Sequence, residues 1–141
     1  MASLDFYFDF ISPYAYLGWT QIHARAARHG REVHPIPTLF AAMLKHSGTL
    51  GPAEIPLKRV YIFKDCIRTA RHLGVPFSAP PSHPFNPLLA LRVATADPTR
   101  EVIDALYRAI WGGGNGVETV AAVASALGGR GAEVMGDAEA P

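Results

Sequence analysis

The sequence predicts an α/β domain in which one parallel βαβ unit at the N-terminus is followed only by helices. Three observations predict it. Leu4, Phe6, Phe8 and Phe10 alternate with Asp5, Tyr7 and Asp9, the two-residue period of a strand with one apolar face. A capped helix and a second, shorter strand pattern then follow within forty residues. Beyond residue 40, the remaining apolar patterns advance by three and four residues, the spacing of a helix face.

The chain has 141 residues, 49% of them hydrophobic, which suits one domain (1–141) with a sizeable core. Thirteen basic and twelve acidic residues leave a formal charge of +1, with neither sign gathered into a block, so nothing points to nucleic acid. A single cysteine, Cys66, offers no internal disulfide and no Cys-x-x-Cys pair, which suits a reducing compartment. Asp5 and Asp9 interrupt the N-terminal apolar stretch, and no uncharged run has membrane length, so the expectation is a soluble cytoplasmic protein.

Taken in order, the first strand ends before Pro13, which donates no backbone hydrogen and has the φ that a first helical residue needs. Ser12 is then the N-cap of a helix over Tyr14 to His29, with Arg25, Arg28 and His29 in its last turns and Gly30 beyond. Glu32 to Leu39, interrupted by Pro35 and Pro37, reads as a short edge strand parallel to the first. Phe40 to His46 is a short helix, followed by a glycine and proline loop to Pro52.

From Pro56 to Leu73 the residues Val60, Phe63, Ile67, Ala70 and Leu73 form the apolar stripe of a long helix closed by Gly74. The proline-rich stretch Pro76 to Pro87 reads as an extended surface connection. Asn86 and Pro87 open a helix to Asp97, Thr99 opens another to Trp111, and the glycines from 112 to 116 read as a flexible link. Val117 to Leu127 is a last helix, and 129–141 a polar tail. A sheet of two parallel strands leaves an apolar strand edge to be covered by helices, by another chain such as a second copy, or by further strands.

The candidate chemistry centres on Ser12. No Gly-x-Ser-x-Gly elbow surrounds it, so it is no hydrolase nucleophile. A hydroxyl at a helix N-terminus can instead receive an anion or hold a thiolate, the alternative being an ordinary Ser-Pro helix start. Lys45 can face an anionic substrate or sit as a solvated helix-end lysine, and Asn86 can line a site or act only as a cap. Tyr14, Tyr16 and Trp19 can line an aromatic pocket or serve as packing. Cys66 reads as a small buried residue. The six histidines make no paired-ligand spacing, and no metal is expected.

The stretch Phe6 to Leu17 (Phe-Tyr-Phe-Asp-Phe-Ile-Ser-Pro-Tyr-Ala-Tyr-Leu) resembles the start of the 2-hydroxychromene-2-carboxylate isomerases, relatives of kappa-class glutathione transferases and DsbA-like proteins. Gly51 to Arg59, Leu73 to Phe77 and His83 to Leu88 are similar to the same family, in the same order. The resemblance implies a thioredoxin-like fold with its first βαβ unit in 1–39 and a large helical insertion in 40–128. It also implies glutathione as cofactor, held by Ser12, Pro13 and Tyr14, with Ser12 at the thiolate and Lys45 and Asn86 toward an unsaturated aromatic carboxylate. Reversible thiol addition would then drive cis/trans isomerisation. Ser12-Pro13-Tyr14-Ala15 stands where DsbA-like oxidoreductases need a Cys-x-x-Cys pair, so disulfide exchange is excluded there.

The second half of a thioredoxin-like fold, with its cis-proline loop and two antiparallel strands, has no counterpart in the sequence, Thr49 stands where many relatives carry asparagine, and a chain truncated in this way is the expectation. Two other functions stay open: a non-catalytic remnant serving as a binding or assembly module, and a kappa-like transferase in which the thiol does not leave again.

Overall fold

Burial follows the sequence pattern from the first strand onward in the computed structural model, which describes residues 1–131. Strand β1 (Ala2–Phe8) sends Phe6 and Phe8 inward and leaves Asp5 and Tyr7 exposed. Helix α1 (Pro13–Arg28) follows, then β2 (Arg31–Pro37), which pairs with β1 in parallel, Phe6 opposite Pro35 and Phe8 opposite Pro37. The two prolines of β2 cannot donate to a ladder, and among the described residues β2 has β1 as its one neighbour, the edge position the sequence predicts. Among the described residues the sheet has these two strands, and the second half of a thioredoxin-like fold is not present among them.

Helices α2 (Phe40–Ser47), α3 (Pro56–Leu73), α4 (Leu88–Ala96), α5 (Arg100–Trp111) and α6 (Val120–Leu127) follow among the described residues, with short 3-10 turns at Pro52–Glu54 and Gly128–Arg130. α1 packs on β2, α3 and α5, and α4, α5 and α6 pack on one another. The core is aromatic where these layers meet: Phe8, Phe10, Tyr16 and Trp19 surround Tyr107 of α5, with Phe10 and Tyr107 centroids 4.8 Å apart. No helix among the described residues is long and apolar enough to cross a membrane.

Four features depart from the sequence expectation. Val60 and Ile67 of α3 are exposed, and the buried seam runs instead through Phe63, Cys66, Ala70 and Leu73. Cys66, fully buried, takes the place that a periodicity count gave to Ile67. The proline-rich segment is extended, yet it does not merely cross the surface. Phe77 stacks on Trp111 with centroids 5.7 Å apart, Ser78 N–H donates to the Trp111 carbonyl at 2.7 Å, and Phe85 is buried.

The glycine run at 112–116 is packed rather than loose, because Gly116 N–H donates to the Ala109 carbonyl at 2.8 Å. A Cβ at Gly114 would lie 2.5 Å from the Ala109 Cα, so the turn needs glycine for a close backbone approach. Lastly, the start of the expected polar tail has a partner: Arg130 pairs with Asp97 at the end of α4. The rest of that tail, 132–141, lies outside the described residues.

Tyr107 is buried with its hydroxyl unpartnered among the described residues, and burial, reinforced by the Asp9 charge, holds its phenol well above the ordinary tyrosine range. Burying an unpaired hydroxyl costs about 1–3 kcal/mol. Tyr107→Phe is therefore expected to leave stability unchanged or raise it by about 1 kcal/mol, read as the denaturation midpoint, whereas a clear loss would reveal a hydrogen bond to that hydroxyl.

Candidate functional site

The corner between β1 and α1 is built by backbone groups that each find a partner in a different element. Thr38 N–H donates to the Phe8 carbonyl at 2.8 Å, and Ser12 N–H to the Asp9 carbonyl at 3.1 Å. The Trp111 indole N–H reaches the Phe10 carbonyl at 2.8 Å, and the His83 Nε2 lies 2.9 Å from the Ile11 carbonyl. Four successive carbonyls, from the last residue of β1 into the turn, are thus engaged, which is what a sharp, half-buried turn requires.

Ser12 is the N-cap of α1: its backbone is extended and its Oγ accepts from Ala15 N–H at 3.1 Å. That leaves the hydroxyl proton free to be donated outward. Pro13 has no N–H, and those of Ala15 and Tyr16 go to Ser12, so in the first turn only the Tyr14 N–H remains without a helical acceptor. A hydroxyl donor and a backbone donor at the positive end of a helix are suited to a bound anion or thiolate.

This corner opens into a cleft of about 440 Å³, within the range of small-molecule sites. Ser12, Pro13 and Tyr14 line it together with Leu44 and Lys45 of α2 and with His83, Pro84 and Phe85 of the proline segment. Thr49 and the turn at Pro52–Glu54 complete the rim, where Glu54 Oε2 accepts Gly51 N–H at 2.6 Å. The lining is mostly apolar, with Lys45 as its one cation among the described residues.

Ser12, Pro13, Tyr14 and Lys45 are brought together around this space, and Asn86 is not. Asn86 is exposed outside the lining, and its Oδ1 accepts Leu88 N–H at 3.0 Å, so α4 starts one residue later than the sequence suggests. Of the three aromatic candidates, Tyr14 borders the cleft, while Tyr16 and Trp19 are core residues, their polar ends bound to the Pro76 carbonyl and to Asp104.

The Tyr14 hydroxyl donates to Asp65 Oδ2 of α3 at 2.8 Å, and burial together with that bond raises its pKa strongly. It presents a ring wall with its proton committed elsewhere. Cys66 beside it is pushed up to about 11, first by burial and then by the Asp65 charge, which keeps it a thiol at neutral pH.

Two residues of the site escaped sequence reasoning. Asp9 is buried, and its carboxylate accepts Ile11 N–H at 3.1 Å and Phe40 N–H at 2.8 Å, tying the Ser12 corner to the first turn of α2. Its outward position in the strand alternation masked that role; the strand ends at Phe8, and the turn folds Asp9 back inside. His83 was one of six scattered histidines, and only the folding of the proline segment carries it to Ile11. The sequence held no local signal for it.

Comparison with known proteins matches residues 3–141 to the family described as DSBA-like thioredoxin domain. The chain belongs to that family. Within this DSBA-like family it is related to kappa-class glutathione S-transferases and to 2-hydroxychromene-2-carboxylate isomerases. It is 28% identical to glutathione S-transferase kappa 2 of Caenorhabditis elegans over 77% of this chain and 52% of that protein. Identity to the 2-hydroxychromene-2-carboxylate isomerase of Sphingobium xenophagum is 31%, over 78% of this chain and 58% of the relative.

The chain therefore spans about half the length of these two curated relatives. A solved structure of a 2-hydroxychromene-2-carboxylate isomerase superposes with a TM-score of 0.81, covering 98% of this chain and 71% of that one at 22% identity, which shows the shared DSBA-like fold. In such a domain, disulfide exchange at the helix start would need cysteines where this chain has Ser12 and Ala15.

Proposed function

We propose that the chain carries the glutathione site of an isomerase of the 2-hydroxychromene-2-carboxylate type, acting on an unsaturated aromatic carboxylate. The observation that carries this reading is the Ser12 hydroxyl, capping α1 at the wall of an apolar cleft that Lys45 also lines. Glutathione would supply a thiolate that adds across the substrate's conjugated double bond, leaving a single bond free to rotate, and that is expelled as the double bond re-forms. Ser12 O–H and Tyr14 N–H fit a thiolate, since both are donors at the positive end of α1. Pro13 and the Tyr14 ring shape the wall beside it. Lys45 would attract the substrate carboxylate, and the apolar lining would exclude water from the aromatic body. The buried Cys66 thiol suits a cytoplasmic setting for this chemistry.

A kappa-like transferase would use the same Ser12 corner and differ in whether the thiol leaves again; the similarity to the nematode kappa 2 protein favours keeping it as the second reading. Isothermal titration with glutathione is the test. Saturable binding is expected for the native chain, weakened about tenfold in Ser12→Ala by loss of one hydrogen bond to a charged group. Heatless injections into both proteins would sink the reading. Conversion of a chromene carboxylate without consumption of glutathione separates isomerase from transferase.

A further inference from the structure

We infer that His83 is a positioning residue for Ser12: its Nε2–H holds the Ile11 carbonyl and so fixes the peptide that aims the Ser12 hydroxyl into the cleft. The inference extends the glutathione reading to a residue that the helix α1 itself does not contain.

The direction of the bond follows from its partner. A carbonyl only accepts, so Nε2 carries the proton and, in the neutral ring, Nδ1 is bare. Nδ1 is buried without a partner among the described residues. Burial, with the nearby Arg59 charge acting in the same sense, lowers the His83 pKa and keeps the ring in this neutral form. The ring is boxed by Phe63, edge-on at 5.4 Å, and by Trp111 at 5.6 Å. Its backbone is fixed as well, because Arg59 Nη2 donates to the His83 carbonyl at 2.7 Å.

An imidazole with a fixed ring plane, one proton and one acceptor makes a directional contact. That acceptor belongs to the peptide that joins Ile11 to Ser12. The same planar peptide is held at its other end, where Ser12 N–H donates to the Asp9 carbonyl at 3.1 Å, and the cap follows with Tyr16 N–H on the Ser12 carbonyl. Without His83, this peptide would keep the bond from its N–H to Asp9 and lose the one to its carbonyl, which loosens its tilt against the cap.

Two variants separate positioning from packing. His83→Phe keeps an aromatic ring in the box and removes the donor; His83→Gln restores an amide N–H at about the Nε2 position. Amide hydrogen exchange on the full chain is the first readout. In His83→Phe, exchange at Ser12, Ala15 and Tyr16 should quicken about tenfold, with β1 and β2 unchanged, and His83→Gln should return it toward the native rate. Unchanged exchange at those three amides in His83→Phe overturns the inference, and so does loss of protection across the whole chain in both variants. Glutathione titration is the second readout, with binding weaker in His83→Phe and recovered in His83→Gln. If the native chain takes up no glutathione, the glutathione reading falls, and the exchange data alone still decide on His83.

Discussion

Trp111→Ala is expected to lower stability by about 3–5 kcal/mol, enough to leave a marginal domain of this size largely unfolded. The side chain is fully buried at the end of α5 and touches three other elements. Phe77 stacks on it nearly parallel, Phe63 of α3 lies 6.3 Å away, and His83 sits at 5.6 Å. Its indole N–H also satisfies the buried turn at Phe10, 101 residues earlier in the chain. Truncation therefore removes apolar contact and leaves a carbonyl unpaired in one step. Trp111→Phe divides the two: most of the ring contact stays, and the lost N–H should cost about 1–3 kcal/mol. Denaturant midpoints of the three proteins check this ordering, and a Phe variant as unstable as the Ala variant would put the whole effect on the hydrogen bond.

Trp111 also marks where sequence reading ran out. Local signals placed both strands, the Ser12 cap and the helix starts at Pro13 and Pro56, because propensity and capping depend on neighbours within one turn. They placed Trp111 on α5 but gave it no partner. Its acceptor at Phe10 and the His83 contact to Ile11 span 101 and 72 residues, and nothing in a short window encodes a pairing of that range. The α3 seam failed for another reason. Both Ile67 and Cys66 fit a three- or four-residue step, and hydrophobicity alone prefers isoleucine, whereas the close approach of α1 and α3 selects the smaller thiol. Of the cleft, the sequence held Ser12, Pro13, Tyr14 and Lys45 as chemical types at suggestive positions. That these four border one space, and that Asn86 lies outside it, follows only from the path of the chain around α2 and the proline segment.

Asp9→Ala should cost about 2–4 kcal/mol, since it leaves the N–H groups of Ile11 and Phe40 without their acceptor in a buried turn. The loss falls on the joint between the Ser12 corner and the start of α2, so faster exchange of the Phe40 amide should accompany it. The pH dependence carries the sharper test. Burial raises the Asp9 carboxyl above its ordinary value of 3.8, against the pull of the two N–H donors. The folded chain thus takes up this proton at higher pH than the unfolded chain does. Asp9's contribution to stability is then fully present below 3.8 and declines as pH rises through the raised folded value. The stability gap between the native chain and Asp9→Ala should accordingly be flat at neutral pH and widen as acid is added through that window. His83 works in the opposite sense: its pKa is lowered, so its contribution is complete above 6.5 and is lost as pH falls toward the folded value. Because both proteins retain His83, its loss cancels in the difference, and the widening isolates the carboxylate. A gap that narrowed on acidification would mean that the two N–H bonds outweigh desolvation, making Asp9 a strongly held anion.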